Sequence, residues 1–143
     1  LDAGLVPYEP PIESRLGSPE LLARYPLELI TSKCDDTTNS TFGYRPAVDR
    51  QTSLLHMHTE DAAARSIADG DPVRVFNDRG SILLRASVDG AVRPGVVRAP
   101  AVRWAKRSPG GSSANALTSS RLTDSGGGPT FYSCLVQVHK CGD

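Results

Sequence analysis

The 143-residue chain lacks an excess of charge of either sign: 16 Lys and Arg stand against 16 Asp and Glu, a formal net charge of +0. No global field is available to recruit nucleic acid or an anionic membrane, so any anion must be bound by a local set of donors. Long apolar runs are missing too. No window approaches the ~20 residues that a spanning helix needs, and the start, Leu1 to Pro11, has neither the charged region nor the apolar stretch of a signal peptide. An initiator Met is absent as well, and the opening residues read as linker from inside a longer polypeptide whose targeting signal would lie elsewhere. Cysteine is scarce. Cys34, Cys134 and Cys141 are an odd set, and the Cys-x6-Cys spacing of the last two is neither a redox CxxC nor a zinc-knuckle spacing, so ordinary reduced thiols are expected.

Several chemistries are excluded by missing motifs. Gly110-Gly111 and Gly126-Gly127-Gly128 are glycine-rich, but no G-x-x-x-x-G-K-[ST] or strand-to-helix G-x-G-x-x-G accompanies them, so they read as flexible loop. His56 and His58 would share a face of a strand, yet no third metal ligand presents itself, and His58 is explained by a helix start. Asp35 and Asp36 are adjacent, point in different directions and have no second acid cluster to work with, so they read as solvated.

What is present suits one self-supporting domain: 38% of residues are hydrophobic over a length too short to divide comfortably. Residues 1–24, with Pro7, Pro10, Pro11 and Pro19, read as an extended connector, relieved by a helical turn from Ser18 (cap) through Arg24. Residues 25–143 read as the folded unit. Leu27 to Thr31 alternates as a half-buried strand and is followed by a long polar loop, Ser32 to Arg50. Glu60 to Ile67 is the best helix, with Thr59 or His58 as its cap. Pro72–Phe76 and Ser81–Val88 alternate around Asn77-Asp78-Arg79-Gly80 and form a hairpin. Val96 to Pro100 and Cys134 to His139 are further strands. Many short strands with only one or two short helices and long loops predict a mainly β, closed or nearly closed barrel.

The string from His58 to Gly80 resembles the signature HPEDAA-R-GI-DGD-V-V-N-RG of the molybdopterin-dinucleotide-binding domain in the dimethyl-sulfoxide-reductase superfamily of molybdenum and tungsten oxidoreductases. The resemblance continues through Arg93-Pro94-Gly95-Val96-Val97, Asn115-Ala116-Leu117-Thr118 and Pro129 to Cys134, and Leu29 to Lys33 is similar to the family's opening strand and loop. It implies a double-psi β-barrel whose crossing connections gather several loops on one side. It also implies the ligand: a pterin dithiolene joined through pyrophosphate to a nucleotide, usually guanosine (molybdopterin guanine dinucleotide), with Mo or W held by the parent enzyme. An Fe–S cluster would lie in other domains of that parent.

A pyrophosphate wants backbone N–H groups, hydroxyls and a cation, and a pterin edge wants paired donors and acceptors. The loop after the first strand supplies these, and the resemblance carries the cofactor contacts over to Thr31, Ser32, Lys33, Asn39 and Ser40. Lys33 stands where relatives commonly have Arg, and Asn39 where they have His. Asn115 aligns with the family's asparagine, and Tyr132 falls where many relatives carry Lys. Each also has a bland reading, as solvated loop, turn-former or buried aromatic. Trp104, between Arg103 and Lys106, would either cover a pterin or anchor a solvated basic bend. No catalytic residue and no metal ligand is expected in this chain.

The resulting expectation is a cofactor-binding C-terminal domain of a larger oxidoreductase of formate dehydrogenase, nitrate reductase or S-/N-oxide reductase type. Its partners would be the preceding domains, without nucleic acid and without a membrane segment. On its own it would be monomeric and inactive. The parent is expected in the cytoplasm, with the periplasm as the alternative. Two other readings stand beside it: a stand-alone double-psi barrel that binds proteins or peptides, and a self-processing decarboxylase of the same fold cleaved before Ser81.

Overall fold

Strands form where apolar and polar side chains alternate, because one face can then be buried while the other meets solvent. In the computed structural model, which describes residues 4, 7–101 and 103–142, six segments do this. They are β1 (Leu27–Ile30), β2 (Leu54–Met57), β3 (Pro72–Phe76), β4 (Ser81–Val88), β5 (Val96–Arg98) and β6 (Leu135–Lys140). Leu27, Leu29, Leu55, Met57, Val73, Val75, Val97, Val136 and Val138 point inward and are essentially inaccessible to water. Burying a set of aliphatic side chains this completely is the main stabilising contribution, at about 1.5–3 kcal/mol for each. Residues 1–3, 5 and 6 of the expected connector, and 102 and 143 of the expected barrel unit, lie outside the described residues.

The strands close into a ring in the order β1-β5-β2-β4-β3-β6. β1 with β5 and β2 with β4 are parallel, and the remaining neighbours are antiparallel. The β1-to-β2 connection therefore passes the position of β5, and the β4-to-β5 connection passes that of β2: two interlocked crossovers, the double-psi arrangement. The fold is mainly β, as the strand pattern and the resemblance predicted. Strand polarity has a further consequence. β1, β3 and β5 run one way and β2, β4 and β6 the other, so connections 31–53, 77–80 and 99–134 all leave by one end of the barrel.

Helix is confined to short pieces. α1 (Pro19–Arg24) starts as expected, with the Ser18 hydroxyl accepting from the Leu21 N–H at 3.3 Å. α2 (Pro46–Thr52) begins inside the stretch read as loop, Ser32 to Arg50, and runs two residues past it, and β2, which follows it, was not foreseen either. Pro46 opens α2 and Val48 and Thr52 are its buried residues, four apart on one face. α3 (Thr59–Ala63) is capped by His58, whose Nδ1 accepts from the Glu60 N–H at 3.2 Å. It is shorter than the Glu60 to Ile67 helix expected. Ser66 takes a left-handed φ of 53°, and the Ile67 N–H turns back to the Ala62 carbonyl at 3.0 Å, a reversal that closes the helix.

The connector is fastened to the barrel rather than trailing from it. Glu13 grips Arg79 through two hydrogen bonds, at 2.9 and 2.6 Å, and accepts from the Leu135 N–H at 2.8 Å. Arg15 pairs with Glu28 at 3.1 Å and donates to the Pro94 carbonyl at 3.1 Å.

Candidate functional site

The loop-bearing end is built from the strands outward. Beyond the ends of β1 and β5 the chains continue side by side: the Ala101 N–H donates to the Ser32 carbonyl at 2.7 Å and the Cys34 N–H to the Ala101 carbonyl at 3.0 Å. This fixes Thr31, Ser32 and Lys33 on barrel-like backbone. The Ser32 hydroxyl accepts from Arg98 Nε at 2.5 Å, which leaves its own proton free to be donated. Lys33 is exposed, whereas Cys34 is buried and bonded through its thiol to Gln51 of α2, whose amide in turn donates to Asp36 at 2.7 Å. The loop is thus pinned at its root.

Its far part is a turn closed by the Thr41 N–H on the Thr38 carbonyl at 3.0 Å, with Asn39 left-handed at φ 54°. Asn tolerates that conformation better than most residues with a Cβ. Trp104 holds this turn down: its indole N–H donates to the Ser40 carbonyl at 2.8 Å, and Gly43 lies so close that a Cβ there would stand 2.4 Å from the indole nitrogen. The ring is an anchor for the loop, with Lys106 4.7 Å above it. Asn39 and Ser40 are exposed.

Asn115 sits in a 3-10 turn, Ala114–Ala116, on the same end, also exposed. The β3–β4 hairpin supports it. Asn77 Nδ2 donates to the Leu117 carbonyl at 2.9 Å and the Leu135 carbonyl at 3.2 Å, and Arg79 Nε reaches the same Leu117 oxygen at 2.7 Å. Gly80 must lack a side chain because a Cβ would meet the Ala116 carbonyl at 3.0 Å. The N-x-R-G part of the signature is therefore scaffold that positions the Asn115 segment. Cys134 belongs to this cluster. Its buried thiol donates to the Leu117 carbonyl at 3.2 Å, and burial pushes its pKa up to about 11.

Tyr132 stands apart. It is 60% exposed, leans on Phe131 at 4.4 Å between ring centroids, and walls a cleft of about 580 Å³ between the connector and the 119–133 segment, together with Glu13, Arg79 and Arg121. It is an exposed aromatic, not a buried one. The structure thus sets Thr31 to Ser40 and Asn115 at the same end of the barrel, the 99–116 segment running from the one to the other, and places Tyr132 on a separate cleft.

Two contributors escaped the sequence reading. Arg98 alternates with buried Val97 and so had to face outward, but only the parallel β1–β5 register takes it to Ser32. Asp49 receives a bidentate Arg107, which holds its carboxyl below the ordinary range, and Arg103 adds to the effect. His56 is engaged by Asp89 at 3.0 Å. Among the described residues no group of three or more His, Cys, Asp or Glu side chains could hold a metal ion, and no helix is long and apolar enough to cross a membrane.

With this geometry in place, comparisons with known proteins converge. The family model described as molydopterin dinucleotide binding domain matches residues 27–135. The chain is 36% identical over 124 residues to dimethyl sulfoxide reductase DmsA of Escherichia coli (strain K12), which covers 82% of this chain and 15% of that protein. It is 46% identical over 83 residues to the dimethyl sulfoxide/trimethylamine N-oxide reductase of Rhodobacter capsulatus, covering 53% of this chain and 10% of the relative. Among solved structures, acetylene hydratase from Pelobacter acetylenicus superposes with a TM-score of 0.75 at 22% identity over 94% of this chain and 21% of that one. The chain spans only about a seventh or less of the curated relatives it matches here.

Proposed function

The chain belongs to the molydopterin dinucleotide binding domain family, and on that footing we propose that it grips a molybdopterin guanine dinucleotide as one domain of a larger molybdenum or tungsten oxidoreductase. The observation that carries the reading is the polarity of the barrel. Every connection leaving β1, β3 and β5 emerges on one end, and that end presents Lys33, Asn39, Ser40 and Asn115 to solvent.

The donor set fits such a group. Ser32, oriented by Arg98, and Thr31 offer hydroxyls beside backbone held by β5, and Lys33 adds a cation for the diphosphate. Asn39, Ser40 and Asn115 offer paired donors and acceptors to the edge of a heterocycle. Tyr132 contributes a flat face and a hydroxyl where relatives carry a charge. When bound, the cofactor's dithiolenes would hold the metal and supply two-electron chemistry. This chain's residues bind and orient, and hydrogen bonds from them tune the group.

The parent is proposed to be an S-oxide or N-oxide reductase, in keeping with the names of the relatives, rather than of formate dehydrogenase or nitrate reductase type. Any Fe–S cluster belongs to its other domains, which are this domain's partners. We place it in the cytoplasm, a compartment that suits three free thiols, and expect the chain alone to be monomeric and inactive. A stand-alone peptide-binding barrel is not favoured, because the matched relatives are far longer oxidoreductases.

The test is chemical analysis of the full natural protein. Molybdenum or tungsten by elemental analysis, and GMP as the nucleotide released by acid hydrolysis, are expected. Reduced methyl viologen should drive reduction of dimethyl sulfoxide or trimethylamine N-oxide. A metal-free protein that releases no nucleotide would sink the reading, and cell fractionation decides the compartment.

A further inference from the structure

Arg103 is anomalous. Its side chain is only 17% exposed, and among the described residues its Nε is a buried donor with no hydrogen-bond partner. The nearest carboxylate oxygen, Asp49 Oδ1, lies 3.9 Å away and belongs to a carboxylate already taken bidentately by Arg107. Two guanidiniums around one carboxylate leave one positive charge over. Buried polar groups are nearly always paired, and a charged donor is the least tolerant of being left without a partner.

Arg103 lines a partly open hollow between β4, the end of β5 and the 108–115 segment, lined also by Thr52, Ser108, Ser112, Ser113 and Asn115. The hydroxyls of Ser112 and Ser113 and the carboxamide of Asn115 make no hydrogen bond among the described residues, whereas Thr52 and Ser108 are spent on the carbonyls of Val48 and Trp104. One uncommitted cation and three uncommitted donors thus converge on a space with apolar walls from Ile82, Leu84 and Ala99. A cation with unspent hydroxyl donors suits a tetrahedral oxyanion.

We propose that this hollow binds a phosphoryl-type oxyanion, with Arg103 as the charged donor and the hydroxyls of Ser112 and Ser113 completing its partners. The anion could be a phosphate of the dinucleotide or free phosphate, and the chemistry is the same in both cases. With the dinucleotide as its ligand the site rests on the function proposed above; with free phosphate it stands without it.

The experiment is a heteronuclear NMR titration of the chain that follows the Arg103 Nε–H and the Ser112 and Ser113 amides. One arm adds inorganic phosphate and the other adds GDP, against sodium chloride at equal ionic strength. Saturable shifts of all three reporters by either anion, with none from chloride, are expected. Shifts by GDP alone point to the dinucleotide's diphosphate, and equal shifts by phosphate point to the free anion. Arg103→Met should weaken binding about tenfold or more, and Arg103→Lys less. If neither anion moves the Arg103 resonance in the unaltered chain, the hollow holds water at most and the proposal fails. It fails equally if a folded Arg103→Met chain binds as before. Since the unaltered chain decides the first point, an unstable variant does not leave the question open.

Discussion

A single dihedral angle separates Ser66 from the glycine that the family signature has at this place. At φ 53° a serine pays for its Cβ, while glycine occupies the same region freely. Ser66→Gly should raise stability by up to about 1 kcal/mol, offset in part by the added freedom of the unfolded chain; a lower urea midpoint in the variant would refute the strain. Cys134 makes a prediction of the opposite kind. Its thiol is pushed from an ordinary 9.0 to about 11 by burial, so the folded chain keeps a proton that the unfolded chain loses. Stability from this group is complete below pH 9 and declines as pH rises through the interval up to about 11. Urea unfolding at pH 8 and pH 10.5 should show the decline, and Cys134→Ala should lack this component of it. Asp49 works in the other direction. Arg107 depresses its pKa, so its contribution holds above the ordinary carboxylate range and disappears as pH falls through the lowered value. Asp49→Asn should flatten the acid limb of the stability profile.

Among the elements, the β3–β4 hairpin was fully legible, because both strands alternate and the turn residues lie between them. α2 and β2 were not. α2 spans seven residues and buries only Val48 and Thr52, too little periodicity to stand out from a polar loop. β2 is four residues long, and its place between β4 and β5 is set by pairing across long sequence separations that no local pattern announces. The end of α3 was misjudged for a different reason: alanines favour continuation, and only the backbone reversal at Ser66 stops it. Of the candidate site, the residues were legible but not their grouping. Nothing in Tyr132 or Asn115 says that they open onto different cavities. The hairpin's supporting role can be measured. Asn77→Ala should cost about 1 kcal/mol, because it strips the side-chain donor from the Leu135 carbonyl and one of three donors from the Leu117 carbonyl, which keeps Arg79 and Cys134. If the loss were negligible, Arg79 and not Asn77 would be what ties the hairpin to the Leu117 segment.

For the whole molecule, the boundary between connector and barrel drawn at residue 24 is not a boundary in energy. Glu13 reaches Arg79 and the Leu135 N–H, and Arg15 reaches Glu28 and the Pro94 carbonyl. Removing residues 1–17 should therefore lower the unfolding free energy by about 2–3 kcal/mol from the Glu13 contacts alone, read as a clearly lower unfolding midpoint. An unchanged midpoint would mean that the strap only rests on the surface.

Closure of the ring also has a meaning in time. β6 is the strand that joins β3 to β1, and it comes after every other strand in the sequence. Until it arrives, β1 and β3 each present a row of unpaired backbone groups, and the apolar interior is open along one seam. During synthesis the nascent barrel must wait for its final strand, with most of its core already made and none of it sealed. The interval before β6 emerges is when this polypeptide is most exposed to pairing with the wrong chain.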